Sequence, residues 1–157
     1  STNIAASVGF NQFAIRSDGG LFAWGVNASG QLGLGDLITR SSPVQVGTSS
    51  WSQVGAGSSF TGIALNSAGT MYTWGTNTPA LLGTLKMVSA VSSPIFVSTV
   101  RDSWTSIGRG GKGVHNAAIR IDSKLFTWGV NTSGQLGDNT ITSESSPVQT
   151  VAGGTNW

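Results

Sequence analysis

Few residues of this sequence are equipped for chemistry. It holds one histidine, His115, six acidic residues and no cysteine, which excludes thiol nucleophiles, thiolate zinc sites and disulfides. A single imidazole gives a Ser-His-Asp triad or a histidine-rich metal site little to work with. The carboxylates show no paired spacing that nominates a general acid and base. The run Gly108-Arg109-Gly110-Gly111-Lys112-Gly113 fits G-x-G-x-x-G, but a phosphate loop of that type must open a helix. The following residues 114–121 read as a strand, so the run reads as a turn. No cofactor or metal is expected, and the chain reads as non-enzymatic.

Charge is equally sparse: 9% of residues, with eight basic against six acidic side chains and a net charge of +2. A nucleic-acid surface gathers many more Lys and Arg, since each phosphate contact is a separate electrostatic gain. The one local excess, Arg101, Arg109, Lys112, Arg120 and Lys124, is relieved by Asp102 and Asp122. It is a weak candidate patch for an acidic partner protein, set against the simpler reading of a solvated loop edge. Asn27 and Asn131 satisfy the N-x-[ST] acceptor pattern, yet both sit where a longer repeat itself places Asn.

That repeat accounts for most of the chain. Trp-Gly begins a related decapeptide at Trp24-Gly25, Trp74-Gly75 and Trp128-Gly129, with Asn27, Asn77 and Asn131 three residues on. Ser-Ser-Pro recurs with Pro43, Pro94 and Pro147, and a further Trp recurs at Trp51, Trp104 and Trp157, where it is expected to open a short strand. Three independent markers share a period of roughly 50 residues, the range of propeller blades and related arrays. The repeats span about 1–50, 51–103 and 104–157 of a single region covering 1–157.

Within each copy, alternating apolar residues flank a tight turn that ends in Trp-Gly, the pattern of a β-hairpin. Gly19 and Gly69 supply the turn glycine, while the third copy has Ser123, which leaves its turn type open. A polar loop and a strand led by the Ser-Ser-Pro proline follow, because proline is tolerated at the first residue of a strand. Four short strands per copy and no helical periodicity predict an all-β chain of four-stranded antiparallel propeller blades. All six Trp fall on the two repeat positions, where a large ring fills the space between sheets. No run is long and apolar enough for a membrane helix.

The pattern W-G-x-N-x-x-G-Q-L-G, complete in the first and third copies, resembles the regulator-of-chromosome-condensation repeat over essentially the whole chain. The middle copy departs at Pro79-Ala80-Leu81 and reads as a blade with an altered loop. The family's histidine before the first hairpin strand is kept only as His115, with Asn11 and Thr61 in its place elsewhere. A structural hydrogen-bonding role is expected for it. The resemblance implies a propeller of about seven blades, of which three are present, so further repeats or partner proteins are expected to complete it.

The function favoured by sparse charge, absent cysteine and Ser/Thr/Gly-rich loops is a structural or protein-interaction module. Its expected setting is a larger virion, such as a phage capsid or tail appendage, or a cell-surface assembly. The resemblance implies two alternatives. One is a guanine-nucleotide exchange or chromatin-binding regulator. The other is an enzyme-inhibiting propeller acting through the altered loop Thr76–Met87. The photoreceptor chemistry known in the family would need extra clustered Trp and Arg that the sequence lacks.

Overall fold

Alternating apolar residues around positive-φ turn glycines fold each copy into a hairpin, and the flanking strands complete a sheet. The computed structural model describes residues 3–6, 10–56, 60–78, 81–84, 88–97, 103–108 and 113–157. The first sheet holds β1 (Asn3–Ala6), β2 (Asn11–Ile15), β3 (Leu21–Gly25) and β4 (Arg40–Gln45). The second holds β5 (Trp51–Ala56), β6 (Thr61–Asn66), β7 (Met71–Thr76) and β8 (Ala90–Phe96). The third holds β9 (Trp104–Ile107), β10 (His115–Arg120), β11 (Leu125–Gly129) and β12 (Glu144–Gln149). Each sheet is antiparallel with its strands in sequence order, the plan of a propeller blade.

The blades stack face to face. β5 packs against β1 and β2, and β9 against β5 and β6, so the first strand of every blade lies on the inner side and the fourth forms the outer edge. Strand residues alternate between faces. Phe13, Ile15, Leu21, Ala23, Leu32 and Val46 of the first blade meet Trp51, Val54, Ala64 and Trp74 of the second in one buried cluster. Ile63, Leu65, Met71 and Val97 of the second meet Trp104, Ile107, Ala118, Phe126 and Trp128 of the third in another. The core therefore lies between sheets, and a single blade has no interior of its own.

Backbone clamps reinforce this stacking. The Trp51 amide donates to the Gly19 carbonyl in the hairpin turn of the preceding blade at 2.8 Å, and the Trp104 amide does the same to Gly69 at 2.8 Å. The Ser50 and Ser103 carbonyls accept from Ser67 and Ile121 in the turns of their own blades at 2.9 and 2.8 Å. On the inner side the Gln53 amide bridges to β9, donating to the Thr105 carbonyl at 2.7 Å and accepting from the Ile107 amide at 3.3 Å.

Two local expectations are corrected. Pro43, Pro94 and Pro147 lie inside β4, β8 and β12 rather than at their first residues. The register between third and fourth strands shifts between Ala23 and Gly25, Thr73 and Gly75, and Thr127 and Gly129. An outer edge strand opposite a bulge has no ladder bond for proline to remove. The Ser123 turn matches its counterparts: Ser123 has φ 60 where Gly19 and Gly69 have 87 and 80. Trp51 and Trp104 open β5 and β9, whereas Trp157 lies in no strand and is half exposed. Among the described residues no helix is long and apolar enough to cross a membrane.

Candidate interaction surfaces

The residues of the decapeptide build a seat for the next blade. Asn27 and Asn131 are wholly buried, and each amide ties its loop together. The Asn27 Oδ1 accepts from the Leu32 amide at 2.9 Å while its Nδ2 donates to Asp36 at 3.0 Å. Asn131 accepts from the Leu136 amide at 3.0 Å and donates to Asp138 at 3.0 Å. Asn77 holds the Leu82 amide at 3.1 Å. The acceptor amides of the N-x-[ST] pattern are thus consumed by the fold, which offers neither for glycosylation.

On this seat rests the Trp of the following blade. The Trp74 Nε1 donates to the Gln31 carbonyl at 2.9 Å, and the Trp128 Nε1 to the Leu81 carbonyl at 3.1 Å. Asn116 Nδ2 donates to the same Leu81 carbonyl at 2.8 Å. The last glycine of the motif makes room: a Cβ on Gly33 would lie 2.9 Å from Trp74, and one on Gly83 2.8 Å from Trp128. The altered middle loop keeps the function, since Leu81 and Leu82 are buried and the indole bonds to a carbonyl. Pro79 and Ala80 lie outside the described residues. Trp24, with no described blade before it, is only half buried.

The other expected site residues are placed as follows. Arg101, Arg109 and Lys112 lie outside the described residues. Arg120 stacks over Phe126 at 4.6 Å and pairs with Asp122 at 2.5 Å, and Lys124 lies 3.8 Å from the same carboxylate. These two cations therefore brace a hairpin turn. Arg16, Asp18 and Phe22 repeat the arrangement in the first blade, at 4.8 Å and 2.6 Å. The Arg16 and Arg120 guanidiniums hold the Asp18 and Asp122 carboxyls down to about 2. His115 occupies the register of Asn11 and Thr61 opposite the bulge glycine. It is exposed, where the other two are buried, because no described blade covers its face. The hydrogen-bonding role expected of its imidazole has no partner among the described residues. After Gly108–Gly113 the chain enters β10, not a helix. Among the described residues no group of three potential metal ligands forms.

A surface that the sequence reading passed over lies at one end of the blades. The residue just before the second strand of each blade is large, apolar and exposed: Phe10 at 86%, Phe60 at 51% and Val114 at 39%. The bulge that Trp-Gly makes fixes this position, because the Phe10, Phe60 and Val114 carbonyls accept from Val26, Thr76 and Val130 at 2.8, 2.8 and 2.9 Å. The loops between third and fourth strands open at the same end and expose Leu37, Ile38, Val88 and Ile141. The signal was present in the sequence as one recurring column beside the histidine column. Repeated exposed apolar groups of this kind mark binding surfaces rather than chemistry.

The blade plan and its Trp-Gly seats have known counterparts. The regulator of chromosome condensation (RCC1) repeat matches residues 18–64 and 122–156. The chain belongs to this family. It is 32% identical over 146 residues to the ultraviolet-B receptor UVR8 of Arabidopsis thaliana, covering 87% of this chain and 31% of the receptor. It is 32% identical over 133 residues to the probable E3 ubiquitin-protein ligase HERC6 of Homo sapiens, covering 82% of this chain and 13% of the ligase. Human WBSCR16 superposes with a TM-score of 0.80 at 20% identity, over 93% of this chain and 36% of that one. Prp20p of Saccharomyces cerevisiae gives 0.79 at 21% identity, over 93% and 37%. The RCC1-type chain described here thus spans at most about a third of the length of these proteins, as three blades of a propeller.

Proposed function

We propose that this chain is a protein-interaction module of RCC1 type, and that it grips its partner with the end of the blades bearing Phe10, Phe60 and Val114. The observation that carries this reading is the recurrence of an exposed apolar side chain at one register of all three blades. Monomeric surfaces seldom keep such groups together without a use for them, and aromatic anchors supply much of the energy of protein interfaces. Support comes also from a structural relative: Prp20p, the yeast RCC1, has binding properties to Gsp1p and histones and is bound by Kap60.

The test is a Phe10→Ser, Phe60→Ser double variant. Both side chains are exposed, so its melting temperature should match that of the unchanged chain. On immobilised Gsp1p, histones and Kap60, the unchanged chain should be retained by at least one and the variant should be lost roughly tenfold or more. Equal retention of both, or retention of neither, overturns the reading.

A second reading, guanine-nucleotide exchange on a small GTPase, is favoured by the likeness to Prp20p. It requires that the chain accelerate release of labelled GDP from a Gsp1p-type GTPase; an unchanged release rate rejects it. The virion or cell-surface setting expected from composition draws no support from the relatives named above, and the proposed function does not depend on it.

A further inference from the structure

The junction between the first two blades demands a glycine at position 19. Its φ is 87, a Cβ there would clash with the Ser50 Oγ, and its carbonyl receives the Trp51 amide at 2.8 Å. The residue before it is Asp18. Asp-Gly is the aspartyl dipeptide most open to isomerisation, because glycine puts no side chain in the way when its own nitrogen attacks the preceding carboxyl. The Gly19 nitrogen would bond to the Asp18 Cγ, and its proton would leave with the carboxyl hydroxyl as water, closing a five-membered imide. Water opening that ring at the former Asp18 backbone carbonyl leaves Gly19 attached through the side chain, an isoaspartate of unchanged mass.

That product would undo the junction. The imide nitrogen carries no hydrogen, so the bond from the Gly19 amide to the Arg16 carbonyl, which closes the turn at 2.9 Å, would be lost. Isoaspartate also lengthens the backbone by one methylene and would carry the Gly19 carbonyl away from Trp51. Exclusion of water is not the safeguard, since the Asp18 side chain is 55% exposed.

Arg16 stands in the way. Its Nε donates to both Asp18 carboxylate oxygens at 2.9 Å and its Nη2 to Oδ2 at 2.6 Å, with the guanidinium stacked on Phe22 at 4.8 Å. The Gly20 amide donates to Oδ1 at 3.1 Å. An ionised carboxylate has no hydroxyl to lose, and the bond from Arg16 keeps Asp18 ionised down to about 2. The repeat shows acid and arginine travelling together. In the third blade Arg120 holds Asp122 and stacks on Phe126 in the same way, with Ser123 following. The middle blade has Ala68 before Gly69, and Asn66 fills the column of Arg16. Its Oδ1 accepts from the Ala68 and Thr70 amides at 3.0 and 2.8 Å. Where no carboxyl can cyclise, no guanidinium is kept.

We infer that Arg16 guards the Asp18-Gly19 peptide against isomerisation, by holding the carboxylate and the Gly19 amide in separate hydrogen bonds of the closed turn. This role is independent of the Phe10 surface, which lies at the other end of β2.

The test follows isoaspartate in the folded chain at neutral pH, by methyl transfer from labelled S-adenosylmethionine with protein isoaspartate methyltransferase. Electron-transfer fragmentation of peptides locates the product. Arg16→Gln should gain isoaspartate at Asp18 roughly tenfold faster than the unchanged chain or more, as the carboxyl returns toward its ordinary range. Arg120→Gln should raise it at Asp122 by less, because the Ser123 side chain hinders the attack. In concentrated urea the unchanged chain and Arg16→Gln should isomerise at one rate, which separates a guard built by the fold from an effect of neighbouring sequence. Circular dichroism reports whether Arg16→Gln is folded. Should it not be, Arg16→Lys keeps the charge without the fork, carries the comparison, and should isomerise severalfold faster than the unchanged chain. Equal rates in the folded unchanged chain and the folded variant, a difference that persists in urea, or a larger rise at Asp122 than at Asp18 each overturns the inference.

Discussion

At the scale of residues, a buried indole hydrogen bond and a glycine together decide whether one blade can receive the next. Trp74→Phe leaves the Gln31 carbonyl without its donor, and an unmet buried polar group costs about 1–3 kcal/mol; urea unfolding should show a loss of that size. Gly33→Ala drives a methyl against a pinned indole at 2.9 Å, at positive φ, so overpacking of about 1–3 kcal/mol adds to the backbone strain. Gly137→Ala carries only the strain, about 1–2 kcal/mol. Gly33→Ala should therefore be the more damaging of the two. Ser123 already bears that strain at φ 60, and Ser123→Gly should raise stability by about 1 kcal/mol in the same measurement.

Among elements, the hairpin turn is the unit where sequence reading did best and where its limits show. Alternation plus turn glycine located β2–β3 and β6–β7. The prolines misled because a strand's first residue and a bulged outer edge tolerate a missing N–H equally well, and sequence alone does not separate them. Burial was less legible still. Asn11, Thr61 and His115 share one column, yet their exposure depends on whether a neighbouring sheet lies over them, a long-range fact absent from local pattern.

The same turns set a pH response. Asp18 and Asp122 have carboxyls held at about 2 against an ordinary 3.8, first by the side-chain bonds from Arg16 and Arg120. A depressed folded-state value means that the support is present above the ordinary value. It is lost as pH falls from about 4 to about 2. Both carboxylates are solvent-facing, so the effect on global stability is slight. Carboxyl titrations by nuclear magnetic resonance should place their midpoints near 2, and Arg16→Gln should return Asp18 toward the ordinary range while leaving Asp122 unmoved.

For the whole molecule, the absence of a core within any blade makes stability a property of junctions. The two clusters share the second blade but no side chain, and distant substitutions without common partners add. Trp74→Phe and Trp128→Phe combined should cost the sum of the single losses within about 0.5 kcal/mol. A larger discrepancy would show that the second blade relays strain between its faces. The repeat, the blade plan and the family were legible because they are written in spacing. The exposed apolar end was not, because it depends on which member of each copy stays uncovered after stacking.

The backbone clamp from each hairpin turn to the next blade's opening Trp also gives the molecule a direction in time. The Gly19 and Gly69 carbonyls can receive Trp51 and Trp104 only once their turns have closed, and the indole seats likewise belong to the blade that comes earlier in the chain. On the ribosome the earlier blade emerges first. Synthesis therefore delivers each template before the piece that must dock on it, and translation order becomes assembly order.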